Sequence, residues 1–339
     1  MALSPLELAQ AVGVTVRAPA RLHLGFLDLG GAVGRRFGSL GIAIERPVTE
    51  VTVTRAAADA ESGPDAARAA RARDAVRAAL GVTQAFAVAV DCALPAHNGL
   101  GSGTQLALAV GVAVARLSGH PLSAREVATL LGRGRRSAIG MEAFEAGGVI
   151  LDGGKAMATA TGDGAATTGP GAPPPLLARL PVPDAWRILL VYDRAREGLS
   201  GDAEMKAMAA LPPFPPERAA HFCHLMLLKA LPALAEGDAP AFGAVIGEWQ
   251  RALGDHYAAA QGGARFLSAD VAAAIAVVEE EGLPGVGQSS WGPTGFAIVG
   301  TEAEAEALLG TLRRRFASST NLFFDCVRGN NRGAELVAL

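Results

Sequence analysis

The residues with the clearest chemistry are Pro95-Ala96-His97-Asn98-Gly99-Leu100-Gly101-Ser102-Gly103-Thr104, which run straight into a long apolar segment. Glycines at alternate positions and two hydroxyl residues let successive backbone N–H groups approach an anion without Cβ interference. The helix that follows adds unsatisfied N–H groups and partial positive charge. This is the pattern of a phosphate cradle, with His97, Asn98, Gly99, Gly101, Ser102, Gly103 and Thr104 as candidate contacts. Arg21 and His23 stand two apart on an expected strand, so both side chains leave the same face. A guanidinium pairs bidentately with phosphate or carboxylate, while a histidine there is either a ligand contact or a satisfied core residue.

Those groups need a scaffold. Residues 14–17, 21–28, 40–44 and 50–55 alternate apolar with polar or small residues between Gly and Pro breaks, which predicts a curved antiparallel sheet. An Ala/Arg helix over 64–80 carries Arg68, Arg71 and Arg73 on what reads as a solvated face, and a strand over 85–92 leads into the glycine turn. After Gly103, the spacing of Leu106, Val110, Ala113, Val114 and Leu117 predicts a buried helix aimed at the ligand. Ser123 with Glu126 reads as a capping box, ahead of the basic cluster Arg133-Gly134-Arg135-Arg136 and a strand over 147–152. Gly and Pro dominate 166–184, the expected connection between an N-terminal domain over 1–165 and a C-terminal one over 185–339. The end reads strand, strand, helix, strand, so the second domain is expected to be ferredoxin-like and the whole α+β.

The bulk properties exclude several classes. With 339 residues, 50% hydrophobic and 19% charged, the chain has a globular balance, and its net charge of −3 argues against nucleic acid as a partner. No apolar run approaches bilayer length and the N-terminus lacks a signal pattern, so a cytoplasmic location with no membrane partner is expected. Three cysteines without CxxC spacing indicate neither a disulfide framework nor structural zinc. His221-Phe222-Cys223-His224 lacks further ligands at sensible spacing and reads as packing.

Pro19-Ala20-Arg21-Leu22-His23-Leu24-Gly25-Phe26, the segment Pro95 to Thr104, and Gly287-Gln288-Ser289-Ser290-Trp291-Gly292-Pro293-Thr294-Gly295 resemble the three motifs of the GHMP kinase superfamily, in order and over nearly the whole chain. Within it, Arg21 to Asp28, Gly34 to Gly41, Gly287 to Thr294 and Asn330 to Ala334 are most similar to the β-ribofuranosylaminobenzene 5′-phosphate synthase family. The resemblance implies a GHMP-kinase-like two-domain fold, with an N-terminal mixed sheet and packed helices. It also implies a homodimer, and a reaction joining phosphoribosyl pyrophosphate to 4-aminobenzoate or 4-hydroxybenzoate with loss of carbon dioxide and pyrophosphate. The product would be a C-riboside 5′-phosphate of tetrahydromethanopterin biosynthesis. An ATP-dependent small-molecule kinase is the alternative. Against it, Arg136-Ser137-Ala138-Ile139-Gly140-Met141-Glu142 holds no aspartate where such kinases place a catalytic one, and Trp291 and Pro293 stiffen the third turn.

For the implied reaction, Arg21, His23 and Asp28 are the candidate catalytic groups, with strand-end turn chemistry as the other reading of Asp28. Lys155 and Arg136 join the cradle residues on pyrophosphate. Arg35, Arg36, Ser289, Ser290, Trp291 and Arg332 are candidate substrate contacts, with Trp291 as a flat surface for a benzoate ring. Structural ion pairs or solvated positions are the competing readings of the arginines and of Lys155. Magnesium is the expected cofactor, held by Ser102 and a carboxylate, Glu142 or else Glu145; no organic cofactor is implied.

Overall fold

The computed structural model describes residues 5–157, 172–199 and 201–339; residues 166–171 of the expected connection lie outside them. Two very long strands, Gly13–Asp28 and Arg35–Ala56, pair antiparallel and form the spine of an eight-stranded sheet. The four short strands expected here are therefore halves of two bent ones. Register shifts at Pro19/Ala20 and His23/Gly25 supply the bends, as bulges do. Gly25 has φ +134°, and a Cβ there would run into Leu253 and lie 3.3 Å from Trp249. Between the bulges, Arg21 pairs with Ala43 and His23 with Gly41, so both side chains share a face as the period of two requires.

Ala85–Cys92 continues the sheet, and Ala66–Leu80 and Ser102–Leu117 pack together over it. The helix after the cradle is buried on nearly every side; at Gly111 a Cβ would meet Val127 at 2.6 Å. Its apolar composition all round is what a central helix needs.

The second sheet has four antiparallel strands in the order Leu322–Val327, Arg187–Asp193, Gly295–Val299, Val286–Gln288. With Ala269–Glu280 and Glu302–Arg315 between them in the chain, this is the ferredoxin-like arrangement. Side chains of Ser268 and Thr301 cap those two helices. Two stretches fall outside the expected division. Leu176–Leu180, inside the supposed connection, pairs with Val149–Asp152, and the final strand Glu335–Ala338 returns to pair with Gly13–Asp28. Backbone pairing wins over the Gly/Pro composition there because Pro173, Pro174 and Pro175 stop short of the strand.

Candidate active site

The cradle's shape comes from backbone conformations that few side chains tolerate. His97, Gly99 and Gly101 have φ of +56°, +80° and +88°, and Gly101 caps the helix with no side-chain help. Its carbonyls point away from the cavity into protein donors. That of His97 accepts from the Gly198 N–H at 2.9 Å, that of Asn98 from the Thr294 hydroxyl at 2.6 Å, and that of Gly99 from the Ser289 hydroxyl at 2.7 Å. The Leu100 carbonyl accepts from the Arg21 N–H at 3.2 Å, and the Arg21 guanidinium also donates to Gly99. The N–H groups of Gly99, Gly101, Ser102 and Gly103 donate to no backbone acceptor among the described residues. Carbonyls fixed behind and N–H groups free in front make a surface for an anion.

The cavity in front of these N–H groups is lined by Arg21, Arg68, His97, Ser102, Thr104, Arg133, Glu204, Ser290 and Trp291, among others. Burial brings the Arg21 guanidinium down to about 10, with Glu204 acting in the opposite sense, so it stays cationic at neutral pH. Its Nε is buried without a partner. Glu204 is held by Arg136 at 2.8 Å.

A second, mainly apolar cavity lies across the Ser290–Trp291 wall. His23, Leu24, Phe26, Leu253, Tyr257 and Trp291 line it. Trp291 is 3% exposed and packs on Tyr257 with ring centroids 4.5 Å apart, so it is a buried wall, not the open platform expected. His23 is 5% exposed, edge-on to Phe26 at 4.7 Å, and its Nε2 has no partner. Burial, then the charges of Arg21 and Arg136, push its pKa down to about 3, so the imidazole is neutral. At the cavity mouth the arginines are compensated, Arg251 by Glu279 and Arg265 by Asp255.

Several predicted site residues lie elsewhere. The Glu142 carboxylate is buried between Arg125 and Arg179, each at 2.5 Å, so it is committed to ion pairs instead of a metal. Glu145 accepts from the Ala124 N–H. Asp28 accepts from the N–H groups of Gly30 and Gly31 and closes a turn. Arg35 donates to the carbonyls of Gly153 and Gly154; Arg36 donates to Leu29 and lies over the Phe37 ring. Lys155 pairs through its backbone with Arg36 and lies outside the cradle lining. Arg332 is exposed on a turn closed by the Asn330 side chain and is not among the residues lining the cradle. Ser289, fully buried, also accepts from the His23 N–H at 3.0 Å, so it ties the third motif to the first two instead of facing substrate.

Sequence reasoning missed Glu204, Arg68, Arg133 and Tyr257. Glu204 and Tyr257 come from the helices Gly201–Ala210 and Ala239–Tyr257, far from any motif. Of the three arginines read as a solvated face, Arg73 is buried among Asp59, Glu61 and Asp74, and Arg68 reaches the cradle.

Residues 66–148 match the GHMP kinases N terminal domain. The chain is 32% identical over 327 residues to the beta-ribofuranosylphenol 5'-phosphate synthase of Archaeoglobus fulgidus, covering 95% of this chain and 98% of that one. It is 30% identical over 346 residues to the enzyme of the same name from Methanothermobacter thermautotrophicus, covering 96% and 99%. Among solved structures, mevalonate diphosphate decarboxylase from Staphylococcus aureus superposes with a TM-score of 0.65 at 17% identity, covering 98% of this chain and 100% of that one. Homoserine kinase from Cytophaga hutchinsonii gives 0.64 at 17%, covering 97% and 98%. At such identities these two show the fold alone. The cradle, the third turn stitched to it and the two full-length relatives together place this chain in the beta-ribofuranosylphenol 5'-phosphate synthase family, on a GHMP kinase fold.

Proposed function

We propose that the protein joins phosphoribosyl pyrophosphate to a 4-substituted benzoate, releasing carbon dioxide and pyrophosphate. The relatives' names, which specify a ribosylphenol product, put 4-hydroxybenzoate first and 4-aminobenzoate second. One observation carries the reading: an anion cradle and an apolar aromatic cavity share the single wall Ser290–Trp291. A kinase needs the first; an enzyme that brings an aromatic ring to a phosphorylated sugar needs both.

In the reaction the bond from ribose C1 to pyrophosphate breaks with its electron pair leaving on oxygen. The ring carbon bearing the carboxylate bonds to C1, and the carbon–carboxylate bond then breaks, returning its electrons to the ring as carbon dioxide departs. The para oxygen makes that carbon nucleophilic, so a strong protein base is not required. The chain's contribution is electrostatic and positional. Cradle N–H groups and Arg21 stabilise charge growing on the leaving group, while the aromatic wall holds the ring with its carboxylate end toward C1.

Magnesium fits the donors present: the Ser102 and Thr104 hydroxyls and the Glu204 carboxylate line one cavity, and this ion takes few protein ligands besides substrate phosphates. When bound, it supplies neutralisation of diphosphate charge. Glu204 lines the cradle cavity and is held by one arginine where Glu142 is held by two outside it, so Glu204 replaces Glu142 as the candidate carboxylate.

The test is release of carbon dioxide from carboxyl-labelled 4-hydroxybenzoate with magnesium and phosphoribosyl pyrophosphate and without ATP, run beside 4-aminobenzoate. Release that requires both substrates is expected. Folded protein that decarboxylates neither benzoate overturns the reading.

A further inference from the structure

We propose that Arg68, Arg71 and Arg133 form a phosphate-monoester site distinct from the cradle, which takes the 5′-phosphate of the sugar donor while the cradle takes its pyrophosphate. The proposal rests on the function just given and divides the donor's two anionic ends between two sets of groups.

The three guanidiniums come from two separated segments. Arg68 and Arg71 are one turn apart on Ala66–Leu80, and Arg133 follows the helix Ala124–Leu130. They converge on one depression, whose floor is Ala72, Ala75, Leu106 and Ala107, and which opens at Gly103 into the cradle cavity. Arg68, Gly103 and Arg133 line both spaces. Gly103 is what lets them meet: a Cβ there would lie 2.7 Å from an Arg68 guanidinium nitrogen and 3.9 Å from one of Arg133. The two cations therefore press against the first turn of the cradle helix, whose own N–H groups are positive.

Such an assembly of like charge is costly without an anion. Arg68 has one partner, Asp65, at 3.0 Å and partly exposed. Arg71 and Arg133 have no ion pair among the described residues. Loss of solvent and then the charges of Arg68 and Arg71 hold the Arg133 guanidinium below its ordinary value, which is the repulsion expressed as proton affinity. Among the described residues Asp65 is the only carboxylate paired with any of the three, and Glu204, which lines the neighbouring cradle cavity, is paired with Arg136.

The ligand is identified by what remains for each compartment. The aromatic cavity suits an uncharged ring, and the cradle offers a row of backbone N–H groups suited to a bridged diphosphate. A cluster of forked donors suits the three terminal oxygens of a phosphate monoester. The arginine cluster and the cradle adjoin at Gly103, so one sugar can span them with its 5′-phosphate in the first and its pyrophosphate in the second.

The probes are ribose 5-phosphate, which carries only the monoester, and inorganic pyrophosphate with magnesium, titrated calorimetrically into the full chain. Arg133→Gln is expected to weaken ribose 5-phosphate binding about 30-fold, the size of a lost charge-assisted interaction, and pyrophosphate by less than about threefold. Ser102→Ala should show the opposite pattern. Arg71→Gln, exposed and away from the core, repeats the test should Arg133→Gln melt early. If both arginine variants keep ribose 5-phosphate affinity, or if either weakens the two probes equally, the division of anions is wrong. The same holds if the wild-type chain binds no ribose 5-phosphate. Because both titrations proceed without turnover, selective loss in Arg133→Gln upholds the site even where the decarboxylation assay is silent, and that silence falls on the synthase reading alone.

Discussion

Ser289→Ala tests whether the third turn holds the cradle in shape. The hydroxyl is fully buried, donates to the Gly99 carbonyl at 2.7 Å and accepts from the His23 N–H at 3.0 Å. Removal leaves the His23 N–H without an acceptor, at about 1–3 kcal/mol, and takes one of two donors from Gly99, at about 1 kcal/mol. A total near 3 kcal/mol should appear as a lower midpoint with unchanged slope in urea. Arg21 still donates to Gly99, Thr294 still holds Asn98, and Gly292 still packs on the Asn98–Gly99 peptide, so the cradle shifts instead of collapsing. A displacement of well under 1 Å fits a loss in kcat/KM for phosphoribosyl pyrophosphate of about tenfold, roughly 1.4 kcal/mol. The assay is carbon dioxide release beside the urea titration. If stability falls by the full amount while kcat/KM stays within about twofold, the stitch is only structural and the coupling of third turn to cradle is wrong.

Glu204→Gln is expected to raise the magnesium concentration for half-maximal activity about tenfold and to destabilise by about 1 kcal/mol through the single pair with Arg136 that it breaks, whereas Glu142→Gln leaves that concentration unchanged and destabilises by about 2–4 kcal/mol through the stranded Arg125 and Arg179; metal titrations and urea melts on both variants decide it. The neutral His23 makes an acid-side prediction. Its folded pKa of about 3 is below the unfolded value, so the unfolded chain binds the extra proton between about pH 6.5 and pH 3. This contribution to stability is complete above that window and is lost as pH falls through it. His23→Gln should flatten the slope of stability against pH there, and an unchanged slope refutes the neutral assignment. Trp291→Phe is expected to raise KM for the benzoate about three- to tenfold with kcat changed less, as measured by initial rates at saturating donor.

The legible parts of the molecule are those written in contiguous residues. The cradle, the helix after it, the capping box at Ser123 and Glu126, and the ferredoxin-like order of the second half each depend on local spacing or turn chemistry, and each is present. Arg21 and His23 share a face because three consecutive residues of one strand decide it. What stayed hidden depends on distant partners. Glu142 reads like any acidic residue after a loop until Arg179, from a strand inside an apparent linker, reaches it. Arg68 and Arg73 are neighbours on one helix, yet one reaches the cradle and the other is buried among three carboxylates. Helical periodicity shows that they differ in direction and says nothing of what each meets.

The distribution of charge explains why this fold can work without a carboxylate in the segment from Arg136 to Met141. Ala138 is fully buried there, its N–H donating at 2.8 Å to Asp152, whose carboxylate is spent on three N–H groups and the Ser137 hydroxyl. On the cradle side, Arg21, Arg68 and Arg133 face the lone carboxylate Glu204, itself balanced by Arg136. The surplus positive charge matches a donor whose leaving group grows more negative as the C1 bond breaks. On the other side of Trp291, His23 is uncharged, the Tyr257 hydroxyl is held above its ordinary pKa by burial, and Arg251 and Arg265 are paired with Glu279 and Asp255. In the proposed reaction a benzoate brings one charge toward that apolar wall, and loss of its carboxylate as neutral carbon dioxide removes it. Poor solvation of the carboxylate therefore works in the direction of its loss. A base that charged on accepting a proton would meet the same unfavourable surroundings that hold His23 neutral, which accords with the proposed transfer of carbon dioxide and pyrophosphate and not of a proton.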